Sequence, residues 1–162
     1  MSSSGDPKLP TSKPEAISAL FSPRPPIEDR ERAIQHAMNI YRTIGSPGFP
    51  ILDAELREKV VRTMDRSYYP QGVGRQFLAV LSNGSRVEML KRIQVPTLVI
   101  HGSDDPLIPV EAGTDTAAKV PDAEMKIIPG MGHDLAPGVI PILVETIAEH
   151  CQRVDARLRT LR

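Results

Sequence analysis

Cysteine is almost missing from this sequence: Cys151 stands alone among 162 residues, so no internal disulfide can form and a reducing compartment is expected. An excess of charge of either sign is missing too. Twenty basic residues balance twenty acidic ones, which removes the long-range field that draws in nucleic acid or an anionic membrane. No apolar run approaches the length of a membrane span, and the first five residues carry no basic flank followed by an apolar stretch. The expectation is a soluble, cytoplasmic protein with no nucleic-acid or membrane partner. What is present is ordinary for a packed domain: 40% apolar and 25% charged residues in a chain long enough for one domain.

Sixteen prolines are less ordinary, and six of them fall within residues 7–26. Residues 1–26 therefore read as an extended connector, with a short helix after Ser12, where Ser12 and Glu15 stand at capping-box spacing. Residues 27–92 read as small amphipathic helices. Ile34, Met38, Tyr41 and Ile44 share one face; Leu56, Val60 and Met64 share a second, after Asp53 as N-cap; Val73, Phe77, Val80 and Leu81 share a third, stopped by Asn83-Gly84. Ser85 and Glu88 repeat the capping-box spacing before a last short helix.

At Val95 the period changes. Thr97 to His101 is a short apolar run rich in β-branched residues and closed by Gly102, the pattern of a strand buried on both faces of a parallel sheet. A helix over 110–120, a strand from Glu124 to Ile128 and an amphipathic helix from Gly138 to Cys151 follow, so residues 93–151 read as βαβα. The last helix is expected to turn Ile140, Leu143, Val144, Ile147 and Cys151 inward. Residues 152–162 are either a basic tail or an extension of it, because Ile140, Val144, Ile147, Cys151, Val154, Leu158 and Leu161 step by 4, 3, 4, 3, 4 and 3, a stripe suited to self-association.

The crossover makes a three-dimensional statement about Asp105 and His133. They lie 28 residues apart, each just past the C-terminal end of a strand. Neighbouring parallel strands release their trailing loops side by side on one edge, which brings a carboxylate and an imidazole within reach. A carboxylate accepting from one ring N–H fixes the tautomer and leaves the other nitrogen as a base. Asp104 is a rival acid at this stage, and His101, His36 and His150 read as core or surface residues.

The run Val95-Pro96-Thr97-Leu98-Val99-Ile100-His101-Gly102-Ser103-Asp104-Asp105-Pro106-Leu107-Ile108-Pro109, followed by Ile128-Pro129-Gly130-Met131-Gly132-His133-Asp134-Leu135, resembles the last two strands and loops of α/β-hydrolases. The resemblance implies Asp105 as the acid and His133 as the base, with the helical stretch as the cap and residues 1–10 as the segment leaving the sheet towards it. Ile44-Gly45-Ser46-Pro47-Gly48-Phe49-Pro50 and Tyr69-Pro70-Gln71-Gly72-Val73-Gly74-Arg75-Gln76 are similar to the branch that includes aclacinomycin methylesterase. A small-molecule ester is the implied substrate, with Met38, Met64, Tyr68, Tyr69 and Phe77 as pocket candidates against a competing role in core packing. No cofactor and no metal are implied.

The family's nucleophile is a serine in Gly-x-Ser-x-Gly, and none of the eleven serines here has glycine at both required positions. The expected fold is thus an incomplete α/β-hydrolase: a helical cap followed by the βαβα end of a parallel sheet. An acid and base without nucleophile or oxyanion donors make a poor catalyst, and two parallel strands make a poor sheet. The chain is expected either to serve a carboxylic-ester hydrolase whose N-terminal half lies elsewhere, or to be a non-catalytic fragment acting as a binding or assembly module or a remnant.

Overall fold

The computed structural model describes residues 3–160. These form α1 (Pro14–Phe21), α2 (Arg30–Ile44), α3 (Asp53–Arg66), α4 (Gln71–Asn83), α5 (Val87–Leu90), β1 (Leu98–Gly102), α6 (Val110–Lys119), β2 (Glu124–Ile128) and α7 (Ile140–Thr160), with a 3-10 turn at Pro137–Val139 leading into α7. Among the described residues no helix is long and apolar enough to cross a membrane.

β1 and β2 are parallel, Leu98 lying opposite Glu124 and Gly102 opposite Ile128, and α6 is the crossover between them. Parallel neighbours need such a crossover, and its consequence is that both strands run out on the same edge. β1 starts one residue later than the β-branched run indicates and takes in Gly102, because the ladder is set by the five residues of β2.

Two apolar clusters hold these elements. Ala33, Ile34 and Met38 of α2 meet Leu56, Val60 and Met64 of α3, the helical stripes expected from their spacing. Ile128, Met131, Ala136 and Val139 form the second cluster, against Ile100 and against Ile142 and Leu143 of α7. Ile51, in the link between α2 and α3, packs on both and so couples the helical layer to the sheet.

Several local expectations are corrected. Ser12 does not cap α1: its hydroxyl donates to the Leu107 carbonyl, while Lys13 is the N-cap and Pro14 begins the helix with no N–H to satisfy. Asp53 is the first residue of α3 rather than its cap, and its carboxylate pairs with Arg42. The Ser85–Glu88 box does not close either, since Glu88 turns to Lys91. The third apolar face is formed but largely uncovered: Phe77 meets Phe21, yet no residue of α4 is buried, and Val80 and Leu81 are 61% and 62% exposed.

α7 departs most from expectation. Leu143 packs inward together with Ile142, but Ile140, Val144 and Ile147 are exposed, as is Cys151. Two strands about 4.8 Å apart offer a face narrower than one helix, so only one edge of the apolar stripe finds a surface. The helix nevertheless continues through the arginine-rich segment to Thr160, anchored where Glu124 at the start of β2 accepts from His150 and Arg153; Leu161 lies outside the described residues.

Ile128 is 2% exposed and its neighbour Ile127 is 40% exposed. Ile128→Ala is expected to cost about 2–5 kcal/mol in chemical denaturation, whereas Ile127→Ala costs under about 1 kcal/mol. Equal costs would mean that the outer face of β2 is covered in solution.

Candidate active site

The exit of β1 runs straight into an Asp-Pro turn, and the exit of β2 into a glycine-rich loop. Gly130 has φ +75°, a left-handed conformation that lets the chain reverse after Ile128, and a Cβ there would lie 2.8 Å from the Cα of Gly48. Asp104 N–H donates to the Met131 carbonyl and Ser103 N–H to that of Ile128, so the parallel ladder continues into the two loops.

These loops bring Asp105 and His133 together: Nδ1 of His133 stands 2.8 Å from Oδ2 of Asp105. A carboxylate oxygen only accepts, so Nδ1 carries the hydrogen and the lone pair of the neutral ring sits on Nε2. The Asp105 side chain has no solvent exposure, while that of His133 keeps 22%. Oδ1 of Asp105 accepts from the N–H groups of Leu107 at 2.9 Å and Ile108 at 2.8 Å. Burial pushes the Asp105 carboxyl upward, but the His133 hydrogen bond, the Ile108 N–H, the His133 charge and the Leu107 N–H outweigh it, and the group titrates below the usual aspartate value.

The neighbouring carboxylates have other work. Asp104 is turned away from the imidazole and accepts from Gly130 N–H at 3.0 Å and from the Ser103 hydroxyl. Asp134 is 8% exposed and accepts from the Ser46 hydroxyl at 2.5 Å. Ser46 in turn accepts from Gly132 N–H at 2.9 Å, and the last carbonyl of α2, from Ile44, accepts from His133 N–H at 2.7 Å. The end of α2 therefore clasps the histidine loop. Contact is close enough that a Cβ on Gly132 would lie 2.0 Å from the Gly45 carbonyl oxygen.

Residue spacing carries no signature of this clasp or of the bracing role of the proline-rich arm. Ser46 falls in the Gly-Ser-Pro-Gly break that reads as a helix stop, and nothing local links it to Asp134, 88 positions away. Lys13 N–H donates to the Pro106 carbonyl at 2.8 Å, so the arm braces the aspartate turn rather than merely connecting.

The other sequence candidates are dispersed. Met38 and Met64 are 3% and 8% exposed in the α2–α3 core, because their i, i+4 spacing with Ile34 and Val60 places them at the helix interface. The Tyr68 hydroxyl donates to the Pro25 carbonyl at 2.6 Å. Tyr69 lies under Arg75, and Phe77 meets Phe21 edge-on with ring centroids 4.6 Å apart. None of the five lines the cavity of about 400 Å³ whose walls include Tyr41, Arg42, Ser46, Asp104, Pro106 and Asp134, and neither Asp105 nor His133 lines it, although their chain neighbours do. Among the described residues no group of three or more His, Cys, Asp or Glu is placed to hold a metal ion.

Ser46→Ala leaves a buried N–H at Gly132 and a buried Asp134 oxygen without a partner, for an expected loss of about 1–3 kcal/mol and faster amide exchange at Gly132 and His133. Exchange unchanged at both amides would refute the clasp. A second outcome follows from the depressed Asp105 value. Its stabilisation is complete above the unfolded aspartate value of about 3.9 and is lost as pH falls through the lower folded value. The melting gap between wild type and Asp105→Asn is thus widest near neutrality and closes in acid; a gap that grows on acidification would reverse the sign argued here.

Residues 70–137 match the family model described as serine aminopeptidase, S33. The chain is 33% identical over 151 residues to a poly(3-hydroxyalkanoate) depolymerase of Ectopseudomonas oleovorans, covering 87% of this chain and 48% of that one. It is 44% identical over 50 residues to the non-heme chloroperoxidase CPO-A1 of Kitasatospora aureofaciens, covering 30% of this chain and 18% of that one. Among solved structures, a meta-cleavage product hydrolase from Pseudomonas fluorescens IP01 superposes with a TM-score of 0.65 at 16% identity, over 93% of this chain and 53% of that one. An esterase from Thermogutta terrifontis does so at 0.57 and 24% identity, over 88% and 53%. The chain thus spans about half the length, or less, of these relatives. In sequence it resembles hydrolases of the esterase and haloperoxidase kind, and its helices and parallel strand pair have the α/β-hydrolase fold in incomplete form.

Proposed function

We propose that the chain supplies the acid and base of a Ser-His-Asp carboxylic-ester hydrolase, with Asp105 as the orienting carboxylate and His133 as the general base. The observation that carries this reading is the 2.8 Å contact between them, with Nε2 of His133 left to take a proton. An alcohol delivered to Nε2 loses its proton as it attacks an ester carbonyl, and the ionised Asp105 stabilises the imidazolium that forms. His133 then returns the proton to the leaving alkoxide.

The alcohol comes from outside this sequence, since no serine here stands in Gly-x-Ser-x-Gly. In this reading a separate N-terminal hydrolase half pairs with the free edge of β1 and covers the apolar stripe of α7. Two features favour it: β1 pairs with β2 alone among the described residues, and Val144 and Ile147 are 62% and 49% exposed. Residues 27–92 act as the lid, residues 93–151 as the sheet portion, and residues 1–26 as the connector that leads into the lid. Met38 and Met64 hold the lid together, while exposed Tyr69 and the partly exposed Phe77 remain open to a substrate. The finer likeness of Ile44 to Pro50 and Tyr69 to Gln76 to the aclacinomycin methylesterase branch favours a bulky apolar ester. The single cysteine favours a reducing, cytoplasmic setting.

A second reading, a non-catalytic assembly module, is favoured by the same α7 stripe and by the missing nucleophile. The two separate on one experiment. The DNA upstream is translated in all frames for a strand followed by Gly-x-Ser-x-Gly, and that segment is mixed with this chain and given a p-nitrophenyl ester. The catalytic reading expects hydrolysis near background for the chain alone, and activity in the mixture that His133→Ala lowers by about 10⁴- to 10⁶-fold. A stable complex whose hydrolysis is indifferent to His133→Ala sinks the catalytic reading and leaves the assembly module.

A further inference from the structure

The candidate pair leaves one buried histidine unexplained. His101, in β1, is 1% exposed, and its Nε2 lies 2.8 Å from the carbonyl oxygen of Ile108. A carbonyl only accepts, so Nε2 of His101 carries a hydrogen, and that N–H also faces Oδ2 of Asp105 at 3.7 Å. The carbonyl it holds belongs to the residue whose own N–H donates to Oδ1 of Asp105. The helix above is cut away to admit the ring: a Cβ on Gly113, inside α6, would lie 2.6 Å from Nδ1 and 2.8 Å from Cγ of His101.

We infer that His101, seated against Gly113, is a positioning residue that locks the turn after Asp105 and so keeps the carboxylate aimed at His133. The inference rests on the proposed role of the Asp105–His133 pair and adds a second imidazole to it. Its physical logic is a balance. Burial is the largest influence on Asp105 and opposes ionisation, so the charged form depends on the donors gathered around it, two of which are the N–H groups of the 105–108 turn. Holding the Ile108 carbonyl fixes the peptide units that present those N–H groups. Without that hold the turn loosens, burial prevails, and the proton shared by Asp105 and His133 is no longer held in place.

The groups that face Asp105 are His133 from the β2 loop, His101 from β1 and the backbone of its own turn, while Asp104 is turned to Gly130. The test is made on the full chain by NMR, following the Asp105 carboxyl carbon through a pH titration and the His133 Nδ1 proton. These readouts need no turnover, so they stand or fall separately from ester hydrolysis. His101→Leu is expected to shift the Asp105 midpoint upward and to abolish the hydrogen-bonded His133 Nδ1 proton signal. His101→Gln, whose amide can donate to Ile108, retains both. Gly113→Ala, which improves α6 as a helix but displaces the ring, reproduces the upward shift. A folded His101→Leu chain with an unchanged Asp105 midpoint and an intact His133 signal overturns the inference. Should His101→Leu fail to fold, Gly113→Ala decides in its place, and an unmoved midpoint there is equally fatal.

Discussion

Parallel pairing of β1 with β2 is the constraint on which the rest of the candidate site depends. Register alone, with Gly102 opposite Ile128, places the aspartate turn and the histidine loop on one edge of the sheet. An antiparallel pair would send the two loops to opposite ends, and no side-chain adjustment could bridge the length of a strand. The crossover helix α6 is required by the parallel arrangement, and through Gly113 it also makes room for the ring of His101. One topological choice therefore sets where the chemistry sits and how closely its surroundings pack.

Support for the pair comes from both sides of the molecule. The α2 terminus holds the histidine loop through the Ile44 carbonyl and the Ser46 hydroxyl, and the proline-rich arm holds the aspartate turn through Ser12 and Lys13. Each of these bonds satisfies a backbone group that the irregular loops would otherwise leave unpaired near the core. The helical layer is thus tied to the sheet by hydrogen bonds at the site itself, in addition to the packing of Ile51 on both apolar clusters. The histidine loop is thus held by the helical layer as well as by the sheet.

The exposed face of α7 and the largely uncovered face of α4 are the counterpart of that economy. The stripe of α7 finds no surface wide enough in a sheet of two strands, and that of α4 meets only Phe21 of α1, through Phe77. Solvation of Val144, Ile147, Val80 and Leu81 forgoes the gain that burial brings, so the folded chain draws its stability mainly from the α2–α3 interface and from the cluster around Ile128.

Much of this is legible in the residues taken in order. The period of 3.6 at Ile34 and Met38 and at Leu56, Val60 and Met64 marks two helices and their buried sides, and the β-branched run before Gly102 marks a strand, because each pattern is a local property of the backbone. The separation of Asp105 and His133 by one βαβ unit is legible for a related reason, since neighbouring parallel strands joined by a crossover end on the same edge of the sheet. Which aspartate meets the imidazole stays open in that geometry, because Asp104 and Asp105 differ by a single peptide unit whose direction the turn decides; resemblance points to Asp105, and the folded turn brings it to His133. Capping pairs read from spacing at Ser12 and Ser85 fail where a distant carbonyl or a nearer lysine competes for the same side chain. The clasp of Ser46 on Asp134 and the seat of His101 against Gly113 join residues remote in the chain or separated by a helix entry, and only the folded arrangement brings them into contact. Sequence determined the elements and the edge at which they end, since those follow from local periodicity. Tertiary structure decided which polar groups share a hydrogen bond, since that depends on distances the chain sets only after it has closed.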